Sequence, residues 1–239
     1  MVGSASPIAA FFDLDGTILA VNSARLWVAY ERRGGRISRA QLAQAAIWLI
    51  GYRFGVLDIE SALERAIAIM AGEPEDEMKA RVRAWYDDEV ADAILPAARR
   101  VLEAHRAMGH HLVLLTSSSP YISACIKEEL GLHDVLCTRM EVENGVFTGK
   151  AVKPLCFGEG KVVHADSWAR RTGVSLERSY FYTDSLTDLP MLEAVGHPRA
   201  VNPDPRLRRV AWRRRWVIEQ WDREGPAGEQ SARRPPIGL

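Results

Sequence analysis

Two aspartates near the amino terminus are placed where a nucleophile and a proton carrier can act together. Asp13 and Asp15 lie in the turn Asp13-Leu14-Asp15-Gly16-Thr17, which directly follows the apolar run from Pro7 to Phe12. A short uninterrupted apolar run of this kind is typical of a parallel strand buried on both faces. Side chains two residues apart in a turn can leave it in different directions, so one carboxylate can attack while the other moves protons.

A second acidic pair follows a second apolar run. Asp184 and Asp188 come after the segment from Tyr180 to Thr183. A single Asp-x-Asp turn is more often structural than functional, because aspartate is a common turn residue. Two acidic pairs after two buried strands instead supply the several oxygen ligands that a hard cation such as Mg²⁺ requires. The two pairs therefore predict a magnesium site that also meets a phosphate.

The same design recurs at a third strand, because the apolar segment from His111 to Leu115 is followed by Thr116 and Ser117. Helices are predicted between the strands, at residues 97–108, 121–130 and 160–172, each with a glycine directly after it. Alternating strands and helices predict an α/β fold with a doubly wound parallel (Rossmann-like) sheet. Ligands bind such sheets outside the carboxyl ends of the strands, so Asp13, Thr116 and Asp184 are expected to converge.

The segment between the first two strands has a different pattern. Apolar residues recur at helical spacing in four stretches, namely residues 24–31, 38–50, 59–70 and 75–90. We therefore predict a discontinuous catalytic core formed by residues 1–20 and 92–223, with an inserted helical cap subdomain at residues 21–91. The Asn144-Gly145 pair predicts a β-hairpin within residues 137–148. Residues 224–239 are rich in proline and polar residues, and this composition predicts a disordered tail.

Four short motifs in this order resemble those of the haloacid dehalogenase superfamily. They are Phe12-Asp13-Leu14-Asp15-Gly16-Thr17, Thr116-Ser117, Lys161 and Asp184-Ser-Leu-Thr-Asp188. The helical insert is similar to the cap of the branch that contains phosphoserine phosphatase. The run from Tyr182 to Pro205 resembles a bacterial subgroup described as histidinol-phosphatase-like. The resemblance implies a Mg²⁺-dependent phosphatase that acts on a small-molecule phosphate ester.

The resemblance also implies a role for each motif residue. Asp13 would attack phosphorus and form an aspartyl-phosphate. Asp15 would act first as general acid and then as general base, and its backbone carbonyl would reach the metal. Asp184 would bind Mg²⁺ directly, and Asp188 would hold a water on the metal or orient Lys161. Asp13, Asp15, Asp184 and Asp188 thus form the expected metal set.

Two further motif positions are expected to bind the phosphoryl group. Thr116 would donate a hydrogen bond to a phosphoryl oxygen, and Ser117 would add a backbone N–H at the start of a helix. The expected catalytic lysine is Lys161, since the order of the motifs favours it over a surface role. Lys153 competes for this role, but Pro154 follows it and indicates an extended segment.

The substrate is less well defined by the sequence. Phosphoserine phosphatases of this branch carry a glutamate that meets the substrate ammonium, whereas the nearest residue here is Asn22. A neutral amide cannot form that charge pair, which moves phosphoserine to second place. Histidinol phosphate is the leading candidate because of the resemblance of the run from Tyr182 to Pro205. Other phosphatases or phosphotransferases of the same fold stay open.

Two functions of a different class are also open. A non-catalytic phospho-ligand-binding module is disfavoured because every motif position holds a competent residue. A dehalogenase would not need Asp15 as an acid and base.

Composition limits the partners. The chain of 239 residues has 31 basic and 31 acidic residues, so it lacks the overall charge of a general nucleic-acid binder. No apolar stretch approaches the ~20 residues of a membrane span, and no signal peptide is seen. Three cysteines without a CxxC pair fit a reducing cytoplasm. The arginine-rich residues 206–215 are interpreted as a solvated last helix that leads into a final strand. The sequence leaves the oligomeric state open.

Overall fold

A six-stranded parallel sheet forms the centre of the molecule in the computed structural model, which describes residues 6–36 and 59–222. The order of the strands across the sheet is β3-β2-β1-β6-β7-β8, so the chain starts in the middle and extends first to one side and then to the other. This order makes the sheet doubly wound, as expected. The strands are β1 (Ala9–Phe12), β2 (His111–Thr116), β3 (Asp134–Cys137), β6 (Tyr180–Thr183), β7 (His197–Val201) and β8 (Val217–Glu219).

Helices cover both faces of the sheet. They are α1 (Ser23–Arg33), α2 (Ile59–Ala68), α3 (Glu75–Trp85), α4 (Pro96–Ala107), α5 (Pro120–Leu130), α6 (Glu159–Thr172), α7 (Leu189–Ala194) and α8 (Pro205–Arg214). Alternate residues of β1 point to opposite faces. Ala10 and Phe12 belong to the core that contains α4 and α5, whereas Ala9 and Phe11 belong to the core that contains α6, α7 and α8. Because both faces of β1 are buried, its whole sequence is apolar.

The predicted ends of the core helices agree closely with the structure. α5 and α6 end where the sequence predicts, and the residues that follow, Gly131 and Gly173, have φ angles of 58° and 74°. Such left-handed backbone ends a helix at low cost only when the residue is glycine. None of the helices in the described parts of the chain is long and apolar enough to cross a membrane.

The insert is helical where the structure describes it. It contains α1, α2 and α3, followed by a π-helical turn at Tyr86–Val90 and a 3₁₀ turn at Ala91–Ala93. The insert meets the core where Ala20 N–H donates to the Ala93 carbonyl and Leu95 N–H donates to the Ile18 carbonyl. The helix predicted at residues 38–50 and the tail predicted at residues 224–239 lie outside the described residues.

A β-hairpin follows β3 and contacts the insert. Its strands are β4 (Arg139–Glu143) and β5 (Val146–Val152), and Asn144 and Gly145 form the turn with positive φ angles of 52° and 78°. Gly72 N–H donates to the Phe147 carbonyl, and Phe147 N–H donates to the Glu73 carbonyl. The hairpin predicted from the Asn-Gly pair is therefore present and joined to the insert by backbone hydrogen bonds.

Three local features differ from expectation or were missed. Cys137 ends the parallel strand β3 instead of belonging to the hairpin. β7 was not predicted, because Pro198 reads as a loop residue even though it pairs with Phe181 in the sheet. The helix expected at residues 75–90 has regular α geometry only to Trp85. Its last turn changes to π geometry, which the spacing of apolar residues does not reveal.

Candidate active site

The carboxyl ends of β1, β2 and β6 bring three of the predicted site residues to one edge of the sheet. β1 pairs with β2 on one side and with β6 on the other. Asp13 directly follows β1, Thr116 ends β2, and Asp184 directly follows β6. The Asp13 N–H also donates to the Tyr182 carbonyl at 2.9 Å, which extends the pairing of β1 with β6 by one residue. The sheet thus fixes the backbone that carries each of these side chains.

Lys161 reaches this edge from the first turn of α6. Its side chain is 3% exposed, and Nζ lies 3.0 Å from Asp13 Oδ1 and 2.7 Å from Asp188 Oδ2. The backbone that leads into α6 is tightly packed, since a Cβ atom at Gly160 would collide with the Leu155 carbonyl oxygen. Lys153, the competing candidate, is half-exposed and instead pairs with Glu60 and Glu64 on α2. Only Lys161 of these two lysines contacts the acidic motif residues.

Asp188 is held by two donors. Its Oδ2 atom accepts the hydrogen bond from Lys161 Nζ and a second one, at 2.6 Å, from the hydroxyl of Thr183. Asp188 and Thr183 are both buried. Thr183 is therefore a site residue that the motif analysis missed, although its place as the last residue of a buried strand was visible in the sequence.

Burial and like charge govern the electrostatics of the site. Burial raises the pKa of Asp13 to about 7, with Asp188 and Asp184 adding to the rise and Lys161 opposing it. Burial also raises the pKa of Asp184 to about 7, and Asp188 again adds to it. Burial alone would lower the pKa of Lys161, but Asp13 and Asp188 together raise it. One lysine thus compensates several carboxylates in a region of low dielectric constant.

Asp15 faces the start of the insert. Its Oδ1 atom accepts a hydrogen bond of 2.8 Å from the backbone N–H of Ser23, the first residue of α1. Burial raises the pKa of Asp15, and the Ser23 hydrogen bonds oppose that rise. Asn22 lies beside this contact as the N-cap of α1, and its side-chain oxygen accepts from Arg25 N–H at 3.1 Å. The first turn of the insert therefore touches the predicted general acid directly.

The second motif lies in the loop that follows β2. Thr116 is buried, and its hydroxyl oxygen accepts a hydrogen bond of 3.2 Å from Ser118 N–H. Helix α5 begins only at Pro120, with Ser119 as its N-cap. Ser117 was expected at the start of this helix but lies in the turn before it. Proline is favoured at the first position of a helix because its ring fixes φ near the helical value, so the helix begins at Pro120.

The oxygen atoms at this edge fit a divalent cation. Gly16 has a φ angle of 74°, and a Cβ atom there would collide with the Asp184 carboxylate, so the glycine lets that carboxylate approach the first motif. Asp13 and Asp184 are oxygen donors with too little positive charge around them, which suits Mg²⁺. No group of three or more His, Cys, Asp or Glu side chains within residues 6–36 and 59–222 is arranged to hold a metal. Fewer than three carboxylates of the expected metal set, Asp13, Asp15, Asp184 and Asp188, are therefore arranged to hold one cation.

Two more residues, Asn202 and Thr17, bear on the first-motif loop. Asn202 follows β7, and its side-chain amide donates to the Gly16 carbonyl at 3.4 Å. The Thr17 hydroxyl is buried and has no hydrogen-bond partner among the described residues. The sequence offered no signal for Asn202, because its contact crosses from one end of the chain to the other.

The α/β fold carries a nucleophile candidate, a buried lysine and paired carboxylates at one sheet edge. The family model for haloacid dehalogenase-like hydrolases matches residues 10–193. A phosphoserine phosphatase from Mycobacterium tuberculosis is 34% identical over 222 residues, which cover 89% of this chain and 70% of that protein. A histidinol-phosphatase from Neisseria meningitidis is 28% identical over 214 residues, which cover 87% and 96%.

Solved structures agree with this relationship. A protein of unknown function from Bordetella pertussis superposes with a TM-score of 0.84 at 31% identity and covers 90% of this chain and 99% of its own. A substrate-bound phosphoserine phosphatase has the same fold, with a TM-score of 0.66 at 17% identity and coverage of 92% and 96%. The chain belongs to the haloacid dehalogenase-like hydrolases, and its similarity to the phosphatases among its relatives identifies it as a phosphatase. The family resemblance and the fold expected from the sequence are both confirmed.

Proposed function

We propose that this phosphatase is a Mg²⁺-dependent phosphomonoesterase that acts on a small metabolite through an aspartyl-phosphate intermediate. The observation that carries the proposal is the contact of Lys161 with Asp13, which lies buried beside Asp184 and Asp188. A buried carboxylate paired with one lysine keeps a nucleophile in place, and phosphoryl transfer depends mainly on such positioning and charge compensation.

The chemistry divides into two displacements. An Asp13 carboxylate oxygen forms a bond to phosphorus while the ester oxygen leaves, and the Asp15 carboxyl gives its proton to that leaving oxygen. Asp15, now ionised, takes a proton from a water molecule, whose oxygen attacks phosphorus. The bond from Asp13 to phosphorus breaks, which releases phosphate and restores both side chains.

The other site residues balance the negative charge of the reacting groups and keep those groups in position. Lys161 balances negative charge on Asp13 and on the transferring group, and Asp188 fixes the position of Lys161 at 2.7 Å. Thr116 and the backbone N–H of Ser117 are assigned to the phosphoryl oxygens. Asp13, Asp184 and the Asp15 carbonyl would hold Mg²⁺, with Asp188 close by. When bound, the cation offsets the charge on the nucleophile and the phosphoryl group.

Histidinol phosphate is the leading substrate in this proposal and phosphoserine the second. The side-chain oxygen of Asn22 is engaged as the N-cap of α1, and its neutral amide offers no charge to the ammonium group that phosphoserine and histidinol phosphate both carry. A histidinol-phosphatase at 28% identity and a phosphoserine phosphatase at 34% identity are both among the relatives, so the similarities keep both substrates open. The order rests on the resemblance of the run from Tyr182 to Pro205 to the histidinol-phosphatase-like subgroup. Such a substrate fits a cytoplasmic enzyme whose partners are small phosphate esters, not nucleic acids or membranes.

Phosphate release from an aryl phosphate tests the reaction. We expect release that requires Mg²⁺, is lost on chelation and returns when Mg²⁺ is added. Asp13→Asn should abolish it, whereas Asp166→Asn should not, because Asp166 is a half-exposed partner of Arg170 on α6. Release by Asp13→Asn at the rate of the unmodified chain would show that Asp13 is not the nucleophile.

A panel of phosphorylated metabolites tests the substrate. Preferred hydrolysis of histidinol phosphate supports the assignment, and preferred hydrolysis of phosphoserine reverses the order. Transfer of the phosphoryl group to an added alcohol, in place of water, would identify a phosphotransferase of the same fold.

A further inference from the structure

Thr183 is buried at the carboxyl end of β6, and no motif includes it. Its hydroxyl donates to Asp188 Oδ2 at 2.6 Å, and the same oxygen accepts from Lys161 Nζ at 2.7 Å. Lys161 Nζ in turn lies 3.0 Å from Asp13 Oδ1. A continuous line of polar contacts therefore runs from the end of β6 to the nucleophile.

The direction of the Thr183 hydroxyl is fixed by a second contact. The Ser185 backbone N–H donates to Thr183 Oγ1 at 3.3 Å, so the hydroxyl oxygen acts as acceptor there. Its hydrogen is then free to point to Asp188. A hydroxyl has one hydrogen to donate and two lone pairs to accept, and this arrangement uses the donor on the carboxylate that holds Lys161.

Packing alone does not explain a threonine at this position. Threonine and valine are both β-branched and both suit a strand, and the side chain of Thr183 is fully buried. A valine would fill nearly the same volume and would need no hydrogen-bond partners. The hydroxyl therefore matters for what it contacts, and in the described part of the chain those contacts are Asp188 and the loop that carries Asp184.

We infer that Thr183 is a positioning residue for the phosphatase reaction. Its hydroxyl holds the Asp188 carboxylate in the orientation that places Lys161 against Asp13. It does not touch the substrate, and it acts through Asp188 and Lys161. The inference rests on the proposed function, since it assigns Lys161 a part in charge compensation at Asp13.

Kinetics of two substitutions test the inference. Thr183→Val removes the hydroxyl and keeps the shape, and we expect kcat for an aryl phosphate to fall roughly 10-fold with little change in KM, because hydrogen bonds to charged groups are strong. Thr183→Ser keeps the hydroxyl and should restore most of kcat. Thermal unfolding of each variant shows whether the fold is intact.

A matched control lies at the other end of the same strand. Ser179 is also buried, and its hydroxyl accepts from Ala9 N–H and donates to the Ser175 carbonyl. Ser179→Ala should lower the melting temperature while kcat stays unchanged. A merely structural role for Thr183 predicts the same result for Thr183→Val.

The outcomes separate this inference from the proposed function. If Asp13→Asn is inactive but Thr183→Val keeps the kcat of the unmodified chain, Thr183 is not a positioning residue and the proposed function stands. If Thr183→Ser has as low a kcat as Thr183→Val, the hydroxyl is not responsible and the inference is overturned. If Asp13→Asn is active, the proposed function itself fails.

Discussion

Two polar clusters lie against the central strands of the sheet and differ in charge: one contains ionised side chains, and the other is neutral. The site cluster (Asp13, Lys161, Asp184 and Asp188) lies at the carboxyl edge and contains buried ionisable groups of both signs. The histidine cluster (His105, His110, Tyr180 and Tyr182) lies between α4 and the same face of the sheet that carries Phe12. His105 shares hydrogen bonds of 2.8 Å with both Tyr182 and His110.

The pKa values follow this difference. Burial, with added repulsion from His110 and Arg199, lowers the pKa of His105 to about 4, so its ring is neutral near pH 7. A neutral imidazole has one donor and one acceptor nitrogen, and both nitrogens have partners here. In the site cluster, by contrast, burial raises the pKa of two carboxyl groups to about 7 because one lysine cannot compensate them all.

The difference distinguishes structural burial from functional burial. A neutral polar cluster whose hydrogen bonds are satisfied stabilises the fold. A cluster with unbalanced negative charge lowers the stability of the fold unless a bound ligand compensates that charge. Ionisable groups with shifted pKa values concentrate at functional sites. Substitutions in the site cluster should therefore change activity most, and substitutions in the histidine cluster should change stability most.

The largest effect is expected for Lys161→Met. The substitution removes the positive charge next to Asp13 and leaves the carboxylates unopposed. We expect kcat for an aryl phosphate to fall on the order of 1,000-fold, the typical cost of losing a preorganised charge that stabilises the transition state. Steady-state kinetics at saturating Mg²⁺ measures the loss.

Lys153→Met is the matched control for this prediction. Lys153 also lies between the second and fourth motifs, but its side chain is half-exposed and pairs with Glu60 and Glu64 on α2. We expect little change in kcat. Equal activities of the two variants would contradict the role of Lys161 in the site cluster.

A large effect on stability is expected for His105→Ala. The substitution leaves a cavity beside Phe12 and removes the partner of the buried Tyr182 hydroxyl. We expect the free energy of unfolding to fall by about 2–4 kcal/mol, the usual range for a buried group whose loss also strands a polar partner. Urea unfolding measures it, and kcat of the folded variant should stay near that of the unmodified chain. A folded variant with normal stability and low kcat would reverse the assignment of the two clusters.

Sequence patterns predicted the parts of the fold that depend on local chemistry. The apolar runs before Asp13, Thr116 and Asp184 correspond to β1, β2 and β6, and Gly131 and Gly173 mark true helix ends. These features follow from burial on both strand faces and from the backbone freedom of glycine, which single segments reveal. The convergence of the three strand ends then follows from the general topology of parallel sheets.

Contacts between distant segments were not predictable in the same way. The hydroxyl of Thr183 on Asp188, the amide of Asn202 on the Gly16 carbonyl and the backbone of Ser23 on Asp15 depend on side-chain orientation in the folded chain. The periodicity of apolar residues indicates which face of a helix or strand a residue occupies, but it does not indicate which residue its side chain contacts. The histidine cluster was missed for this reason, because the spacing of His105 and His110 in the sequence does not indicate their partners.

A smaller effect is expected for Tyr182→Phe. The phenylalanine ring keeps the stacking on Phe12, where the ring centroids are 4.7 Å apart, and loses the hydroxyl that shares a hydrogen bond with His105. We expect a loss of about 1 kcal/mol in unfolding free energy, the typical net value of one hydrogen bond, with kcat unchanged. A loss as large as that of His105→Ala would mean that the hydroxyl, not the packing of the imidazole, holds the cluster together.

The sharpest test of the histidine cluster is the dependence of stability on pH. The pKa of His105 is about 4 in the folded chain against 6.5 for an ordinary histidine. Above pH 6.5 the ring is neutral in both states, so its contribution to stability is complete. As the pH falls from 6.5 towards 4, the unfolded chain binds a proton that the folded chain does not, and stability decreases. Below about pH 4 this contribution no longer changes.

His105→Gln removes the titration of His105. Glutamine does not titrate, so the variant should lose less stability than the unmodified chain between pH 6.5 and pH 4. His110 has a pKa lowered by burial and by Arg178 and His197 and shares a hydrogen bond with His105, so the difference reports the titration of this histidine pair. Urea unfolding at a series of pH values measures the two curves. Parallel curves would mean that His105 carries no such penalty, and the contrast between a neutral structural cluster and a charged functional one would no longer hold.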